Sequence, residues 1–289
     1  MLAGAASACN ATRVRVSIGR RVARSAALLI AILAIGYAAL CVFAYRRYRA
    51  ALFPAPEELG DVSVSGGELR VLRADDGMAV HAIELAPPPG GRVVAYFHGN
   101  NDTIGQSGGL AMDLRRRGLG SMLVEYRGYG VSRPGTPSER GLYLDAKAAL
   151  DALAGEGITA DRIVLWGSSL GTGVAAEMAR LGRGAVLVMV SPYTSIPELG
   201  EHYLPFLPAG VIVVDRFDTL GKAAQIVVPT LIVHGSADEV VPYRMGEELS
   251  RSIAGARLVT VVGGHHNDLF RLDGTRLMHT IVEFAQRTQ

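Results

Sequence analysis

Cysteine and net charge are both scarce in this sequence. The 289 residues include two cysteines, Cys9 and Cys41, and both precede the part of the chain that we expect to form a folded domain. A domain without cysteine has no internal disulfide and no thiolate metal site, which is compatible with either side of a membrane. The formal net charge is only +2, and no long stretch interleaves basic with aromatic residues. We therefore expect no nucleic-acid partner, because such binding requires a basic face.

Several motifs of cofactor and metal chemistry are missing as well. The sequence has no G-x-G-x-x-G motif and no Walker-type lysine, so a phosphate-binding glycine loop is not indicated. No two histidines have the spacing of a zinc protease, and we expect neither a cofactor nor a metal. Hydrophobic residues make up 49% of the chain and charged residues 19%, a balance that excludes disorder for most of it. The length suits one large domain with a short appendage.

The longest uncharged segment lies near the N-terminus. Residues 25–45 form an apolar run of about 21 residues, long enough to cross a hydrocarbon core of about 30 Å. A buried core helix seldom runs this long without a polar face. A cleaved signal peptide is the sharper alternative, but bulky Phe43 and Tyr45 occupy the place of a small-residue cleavage site. We predict an uncleaved, single-pass transmembrane anchor.

Arginines flank this apolar run on both sides. Five precede it and three follow it: Arg13, Arg15, Arg20, Arg21 and Arg24, then Arg46, Arg47 and Arg49. The positive-inside rule then favours a cytoplasmic N-terminus and an extracytoplasmic folded domain. The predicted organisation is a basic tail at 1–24, the anchor at 25–45, a linker at 46–67 and a folded α/β domain at 68–289.

Apolar strand-like and helix-like segments alternate along the rest of the chain. We predict strands at 68–73, 78–85, 92–97, 121–125, 162–166, 185–190, 229–234 and 256–262, and helices at 110–117, 142–153, 174–181, 243–253 and 275–285. This alternation is typical of the α/β class, with a mostly parallel sheet and helices on both faces. The first two strands are predicted to form an antiparallel hairpin at one edge.

A G-x-S-x-G motif lies between a predicted strand and a predicted helix. It runs from Gly167 to Gly171, with Ser169 at its centre and a helix expected to begin near Thr172. The turn from strand to helix is so sharp that only glycine fits two residues before and after the serine. The motif predicts that Ser169 is a nucleophile at the carboxyl end of the sheet, beside a helix N-terminus.

A serine hydroxyl is a weak nucleophile unless a base takes its proton. On this scaffold the expected chain order is serine, acid and then histidine. Asp238 follows the predicted strand 229–234, and the adjacent His265 and His266 follow the last predicted strand. The position indicates Asp238 as the orienting acid, but it leaves the choice of histidine open.

When a serine attacks an acyl carbonyl, the tetrahedral intermediate carries a negative charge that backbone N–H donors must stabilise. One is expected from the amide of Leu170, directly after the nucleophile. The loop that follows strand 92–97 should supply the second donor, and the amide of Asn100 is the predicted one. An ordinary glycine turn is the alternative for this loop.

With these residues in place, the chain resembles the α/β-hydrolase superfamily over about residues 60 to 289, and within it the Bem46-like group, which includes membrane-anchored members. The resemblance rests on HGN at 98–100, YRGYGVS at 126–132, GSSLG at 167–171, SPYTS at 191–195, HGSAD at 234–238 and HND at 266–268. It implies that His266 is the base, although His265 replaces a small residue of the family pattern. Glu125 stands where relatives commonly have aspartate.

The resemblance implies hydrolysis of carboxylic esters or thioesters through an acyl-enzyme, and some relatives remove acyl chains from proteins. Lipids and acylated proteins are therefore candidate substrates. An amidase, a peptidase or another hydrolase on the same fold stays open, as does a non-catalytic binding module, because a fold does not determine a function. Residues 193–217 form the candidate lid. Because this lid is short and apolar, we expect an open cleft suited to a substrate presented by a membrane or a protein.

Overall fold

The structure is a computed structural model that describes the backbone of residues 3–56 and 62–287. Side chains are described from residue 23 to residue 286, apart from 57–61. Most side chains of the predicted basic tail, including Cys9, lie outside the described residues. The chain divides into two compact units, one ending at Tyr48 and the other comprising Arg49–Gln289.

The N-terminal part of the chain is one long helix, α1, over Ala3–Leu52. Its segment Ala23–Leu52 is long and apolar enough to cross a membrane, by length and composition. The predicted anchor at 25–45 lies within this segment. The predicted linker at 46–67 begins inside the helix, because α1 continues for seven residues after Tyr45.

The second unit is built on a single mostly parallel sheet. Its strands are β1 (Glu68–Arg73), β2 (Ala79–Leu85), β3 (Val93–Phe97), β4 (Gly120–Glu125), β5 (Ile163–Ser168), β6 (Val186–Val190), β7 (Thr230–Gly235) and β8 (Arg257–Val261). Their order across the sheet is β1-β2-β4-β3-β5-β6-β7-β8. The β1–β2 and β2–β4 pairs are antiparallel, and the pairs from β4 to β8 are parallel. The predicted fold class and the antiparallel edge hairpin are confirmed.

Helices connect the strands and cover the sheet. They are α2 (Gly108–Arg116), α3 (Glu139–Gly155), α4 (Leu170–Arg180), α5 (Ile196–Tyr203), α6 (Ala209–Ile212), α7 (Thr219–Lys222), α8 (Tyr243–Ser252) and α9 (Leu269–Arg287). The residues of α9 leave helical geometry once, at Asp273. The predicted lid segment contains two of these helices, α5 and α6.

Strand composition follows position in the sheet. The central strands β3 (VVAYF) and β6 (VLVMV) are buried at every residue, as expected where helices cover both faces of a parallel sheet. The edge strand β1 buries one residue, Leu72. The carboxyl ends of the parallel strands meet at one edge of the sheet, and open α/β sheets bind their ligands there.

Candidate active site

Ser169 occupies the sharp turn between β5 and α4. Its backbone has φ 47° and ψ −115°, in the left-handed half of the φ range that side chains rarely adopt. A Cβ added to Gly167 would collide with the carbonyl of Gly171, and one added to Gly171 would collide with the carbonyl of Phe97. The two flanking glycines are therefore required by the close approach of three backbone segments, which holds Ser169 at the carboxyl edge of the sheet.

Three of the predicted site residues form a continuous chain of hydrogen-bond distances. His266 Nε2 lies 3.0 Å from Ser169 Oγ. The other ring nitrogen, Nδ1, lies 2.8 Å and 3.0 Å from the two carboxylate oxygens of Asp238. The loops after β5, β7 and β8 thus bring together residues that are up to 97 positions apart in the sequence. The neutral tautomer with a proton on Nδ1 satisfies all of these contacts.

Asp238 is held in its ionised form by several donors. Its Oδ1 accepts hydrogen bonds from the amides of Val240 (2.9 Å) and Val241 (2.7 Å). The His234 ring also approaches its Oδ2, at 3.3 Å. Burial by itself would raise the pKa of this carboxyl, but the contacts with His234 and His266 outweigh burial and hold the pKa well below its usual range.

The neighbouring histidine points elsewhere. His265 Nδ1 lies 3.0 Å from Glu239 Oε2, and its side chain is 56% exposed to solvent. The His266 side chain is only 9% exposed. Of the two candidates for the base, the structure places His266 within reach of Ser169.

The predicted oxyanion donors lie beside Ser169 in the same cleft. Leu170 is the first residue of α4, where backbone amides have no partner within the helix and the helix dipole favours negative charge. Asn100 and Gly99 line the cleft from the loop after β3. A Cβ on Gly99 would lie 3.4 Å from that of Ser169, so the loop passes directly over the serine. The Asn100 side chain accepts a hydrogen bond from the Tyr129 hydroxyl (3.1 Å).

A second histidine–carboxylate pair lies beneath this loop. His98 Nε2 is 3.1 Å from Glu125 Oε1, and both side chains are fully buried. The other ring nitrogen of His98, Nδ1, lies 2.8 Å from the Gly99 carbonyl oxygen. Glu125 ends a buried strand, and a carboxylate in that position was a signal that it has a buried partner.

The cleft around Ser169 has a volume of about 520 Å³. Its apolar wall consists of Leu52, Leu170, Tyr193, Ile196, Leu199, Val240 and Val241. A second cavity of about 590 Å³ lies between α2 and α9 and shares Asp102 and Ser168 with the cleft. In the part of the chain that the structure describes, no group of three or more His, Cys, Asp or Glu side chains is arranged to hold a metal ion.

Comparison with known families and sequences gives matches over most of the chain. Residues 88–212 match the family model of serine aminopeptidase, S33, and residues 214–277 match that of TAP-like protein. The uncharacterised protein Rv2307c of Mycobacterium tuberculosis is 33% identical over 267 residues, which covers 90% of this chain and 95% of that protein. Alpha/beta hydrolase domain-containing protein 17C of Xenopus tropicalis is 31% identical over 206 residues, which covers 68% of this chain and 63% of the frog protein.

Solved structures show the same fold. An esterase of Pyrococcus furiosus, Pf2001, superposes with a TM-score of 0.66 at 17% identity, over 81% of this chain and 99% of the esterase. A puromycin-hydrolysing peptidase of Mycobacterium tuberculosis gives a TM-score of 0.65 at 20% identity, over 77% of this chain and 39% of the peptidase. The chain belongs to the α/β-hydrolase superfamily. The family model that matches residues 88–212, serine aminopeptidase, S33, supports a hydrolase as the class of protein.

Proposed function

We propose that this protein is a serine hydrolase that cleaves carboxylic ester or thioester bonds through an acyl-enzyme. The observation that carries the proposal is the chain of contacts from Ser169 Oγ through His266 to Asp238, at 3.0 Å and 2.8 Å. In this proposal Ser169 is the nucleophile, His266 the general base and Asp238 the residue that orients and stabilises the base.

The first half of the reaction forms the acyl-enzyme. Ser169 Oγ attacks the acyl carbonyl carbon while His266 Nε2 takes the hydroxyl proton, and the carbonyl oxygen becomes an oxyanion. The amides of Leu170 and Asn100 are the proposed donors to that oxyanion, a contribution worth about 2.7 to 4 kcal/mol for one donor in other enzymes. As the tetrahedral intermediate collapses, the bond to the leaving alcohol or thiol breaks, and His266 returns the proton to it.

The second half repeats these steps with water. His266 takes a proton from the water molecule, whose oxygen attacks the acyl carbon and restores the oxyanion at the same two amides. Collapse then breaks the bond to Ser169 Oγ, which recovers its proton from His266, and the carboxylic acid leaves. Each proton taken by the base is given back within the same half-reaction, so no other co-reactant is needed.

A peptidase is the second candidate, because the family model that matches residues 88–212 is that of serine aminopeptidase, S33. The same three residues would serve either reaction. The two functions differ in the leaving group, since a peptidase must protonate an amine rather than release an alcohol or thiol. Rates on paired ester, thioester and amide substrates with one acyl group would separate them, and faster turnover of the amide would favour the peptidase.

Labelling with a fluorophosphonate tests the hydrolase function directly, because the probe reacts with an activated serine. We expect labelling of the wild type, loss of labelling in Ser169→Ala and His266→Ala, and retained labelling in the matched control His265→Ala. A folded wild-type protein that does not label would instead support a non-catalytic binding module. Loss of labelling in His265→Ala with retention in His266→Ala would reassign the base.

We also propose that α1 anchors the protein as a single membrane span, with the catalytic domain (68–289) on the extracytoplasmic side. The apolar segment Ala23–Leu52 supports the anchor, and the arginine distribution supports the orientation. The native Cys9 offers a test in a Cys41→Ser variant. A membrane-impermeant maleimide should label Cys9 in inverted membrane vesicles and leave it unlabelled in right-side-out vesicles. The reverse pattern would place the domain in the cytoplasm.

A further inference from the structure

A half-buried ion pair lies within the second compact unit, between the last turn of α1 and the predicted lid. Arg49 Nε donates to Asp215 Oδ2 at 2.7 Å, and Arg49 Nη2 lies 3.4 Å from Oδ1. The Asp215 side chain is 4% exposed and also accepts a hydrogen bond from the amide of Glu139 (2.9 Å). Asp215 belongs to the lid segment 193–217, so this ion pair joins the end of the helix to the lid.

The residues just after the helix reinforce this attachment. Phe53 is buried and packs edge-to-face against Phe217, with ring centroids 6.3 Å apart. The carbonyl of Pro54 accepts a hydrogen bond from the amide of Asn101 (3.1 Å), in the loop that carries the proposed oxyanion donor. The segment from Arg49 to Pro54 therefore contacts both the lid and the oxyanion loop.

Leu52 lies within this segment and lines the cleft that contains Ser169. Ile196 and Leu199, on the lid helix α5, line the same cleft. The end of the apolar helix thus contributes an apolar side chain to the site, although the sequence analysis assigned it to a linker.

Chain length limits the distance between this cleft and a membrane. The predicted span ends at Tyr45, seven residues before Leu52, and seven residues cover at most about 25 Å even when fully extended. The lid carries exposed apolar side chains at Leu204, Phe206, Val211 and Val214, and Val214 directly precedes the Asp215 that binds Arg49. The lid that Arg49 contacts is therefore also rich in exposed apolar surface.

We propose that Leu52 forms one wall of the acyl-chain site, and that the cleft takes the acyl chain of an ester or thioester that resides in the bilayer. This inference rests on the serine hydrolase function proposed above. The shared chemistry is a long acyl chain on an ester or thioester carbonyl, carried by either a lipid or an S-acylated protein. A substrate free in water would gain nothing from a cleft held close to the end of a membrane anchor.

The role of Leu52 can be tested by the dependence of rate on acyl-chain length. With full-length protein in detergent, kcat/KM is measured on p-nitrophenyl acetate, butyrate and octanoate. Because the larger side chain of Leu52→Trp occupies space in the cleft, the ratio of kcat/KM on octanoate to that on acetate should fall about tenfold or more. This is within the range by which apolar pockets discriminate methylenes. Leu52→Ala removes side-chain volume without adding bulk and should shift the preference towards longer chains.

A matched control is Val227→Trp, which adds the same bulk at an exposed site just before β7, at the opposite end of the strand from the cleft. Its chain-length ratio should equal that of the wild type. If the ratio is unchanged in both Leu52 variants, Leu52 is not part of the acyl site. Failure of the hydrolase function would be distinguishable, because Ser169 would then not label with fluorophosphonate in the wild type.

The membrane source of the substrate is tested with the full chain reconstituted in phosphatidylcholine vesicles. One arm contains a fluorogenic long-chain diacylglycerol and the other an S-palmitoyl peptide held on the vesicle by a second lipid. Inserting 20 Gly/Ser residues between Tyr45 and Arg46 leaves the contacts of Arg49 to Pro54 intact but adds a flexible tether of about 25 Å. We expect this insertion to reduce turnover of a vesicle-held substrate at least tenfold, with unchanged turnover of soluble p-nitrophenyl butyrate.

Turnover of either vesicle-held substrate supports the proposal, and the arm that responds identifies the source as lipid or acylated protein. The same insertion placed before Ala23 is the control and should change neither rate. Hydrolysis of the soluble ester with no turnover in either arm would overturn the inference while leaving the hydrolase function intact. An insertion without effect on the vesicle-held substrate would overturn it as well.

Discussion

Two histidine–carboxylate pairs lie near the same edge of the sheet. His266 and Asp238 follow β8 and β7, with 2.8 Å between Nδ1 and the carboxylate. His98 and Glu125 lie at the ends of β3 and β4, with 3.1 Å between Nε2 and the carboxylate. The two pairs share their chemical groups and their position at strand ends, but they differ in what surrounds the imidazole ring.

The free ring nitrogen accounts for the difference. His266 leaves Nε2 facing Ser169 Oγ at the cleft, whereas His98 uses Nδ1 on the Gly99 carbonyl and is fully buried. Both ring nitrogens of His98 therefore face an oxygen acceptor. Burial by itself would lower the pKa of His98, but the contact with Glu125 outweighs burial and raises this pKa above its usual value. A histidine–carboxylate pair can therefore transfer a proton to or from a substrate only where one ring nitrogen faces the cleft. The His98 pair has no such nitrogen, and we expect it to stabilise the loop that carries the proposed oxyanion donor.

The largest expected effect comes from breaking the pair at the cleft. In His266→Ala, kcat on a p-nitrophenyl ester should fall about 10⁴- to 10⁶-fold, because Ser169 loses its proton acceptor. Steady-state kinetics with active-site titration measures this loss. The matched control His265→Ala removes an exposed ring from the adjacent position and should keep kcat within a few-fold of wild type. A His266→Ala variant that retained wild-type kcat would show that the base is another group.

Asp238→Asn should have a smaller effect on the same reaction. The amide keeps the size of the side chain but favours the wrong tautomer of His266, which in comparable enzymes lowers kcat about 10⁴-fold. The KM should change little, since Asp238 does not line the cleft. Single-turnover kinetics would measure the acylation rate separately. Equal losses in kcat and in affinity would instead indicate that the loop after β7 had moved.

Much of the fold and of the site could be predicted because the signals are local. The strands of the parallel sheet are short apolar runs, and the G-x-S-x-G motif requires its glycines for the steric reasons that the structure shows at Gly167 and Gly171. Chain order then indicated Asp238 and a histidine after the last strand. The adjacent His265 and His266 could not be separated by position, since only the direction of the side chain distinguishes them.

Other features were missed for identifiable reasons. The helix α5 begins at a capping pattern, with Ser195 at the N-cap and Glu198 three residues later. The Ser195 hydroxyl accepts a hydrogen bond from the backbone amide of Glu198. That pattern was readable from the sequence. The ion pair between Arg49 and Asp215 was not, because its partners are 166 residues apart. Long-range pairs of this kind depend on tertiary packing, which one sequence does not reveal.

Breaking the second pair should affect stability more than chemistry. His98→Leu leaves the Glu125 carboxyl group buried without its imidazole partner, and we expect the free energy of unfolding to fall by about 3 to 5 kcal/mol. The double variant His98→Leu with Glu125→Leu removes both polar groups and should recover much of that loss. Urea unfolding followed by tryptophan fluorescence measures both. A double variant no more stable than His98→Leu would mean that packing, rather than the unpaired Glu125 carboxyl group, causes the loss.

The pH dependence of stability should separate the two pairs by sign. Asp238 has a folded pKa below its unfolded value, so its contribution is present above about pH 4 and is lost as the pH falls through the folded pKa. His98 has a folded pKa above its unfolded value. Its contribution to the free energy of unfolding is therefore fully present below about pH 6.5 and is lost as the pH rises through the folded pKa. Urea unfolding between pH 3 and pH 9 measures the free energy of unfolding of each variant. The wild type should lose its advantage over Asp238→Asn as the pH falls towards 3. It should lose its advantage over His98→Leu as the pH rises towards 9. If both differences shrank at the same end, the two pairs would not differ in the way that their surroundings indicate.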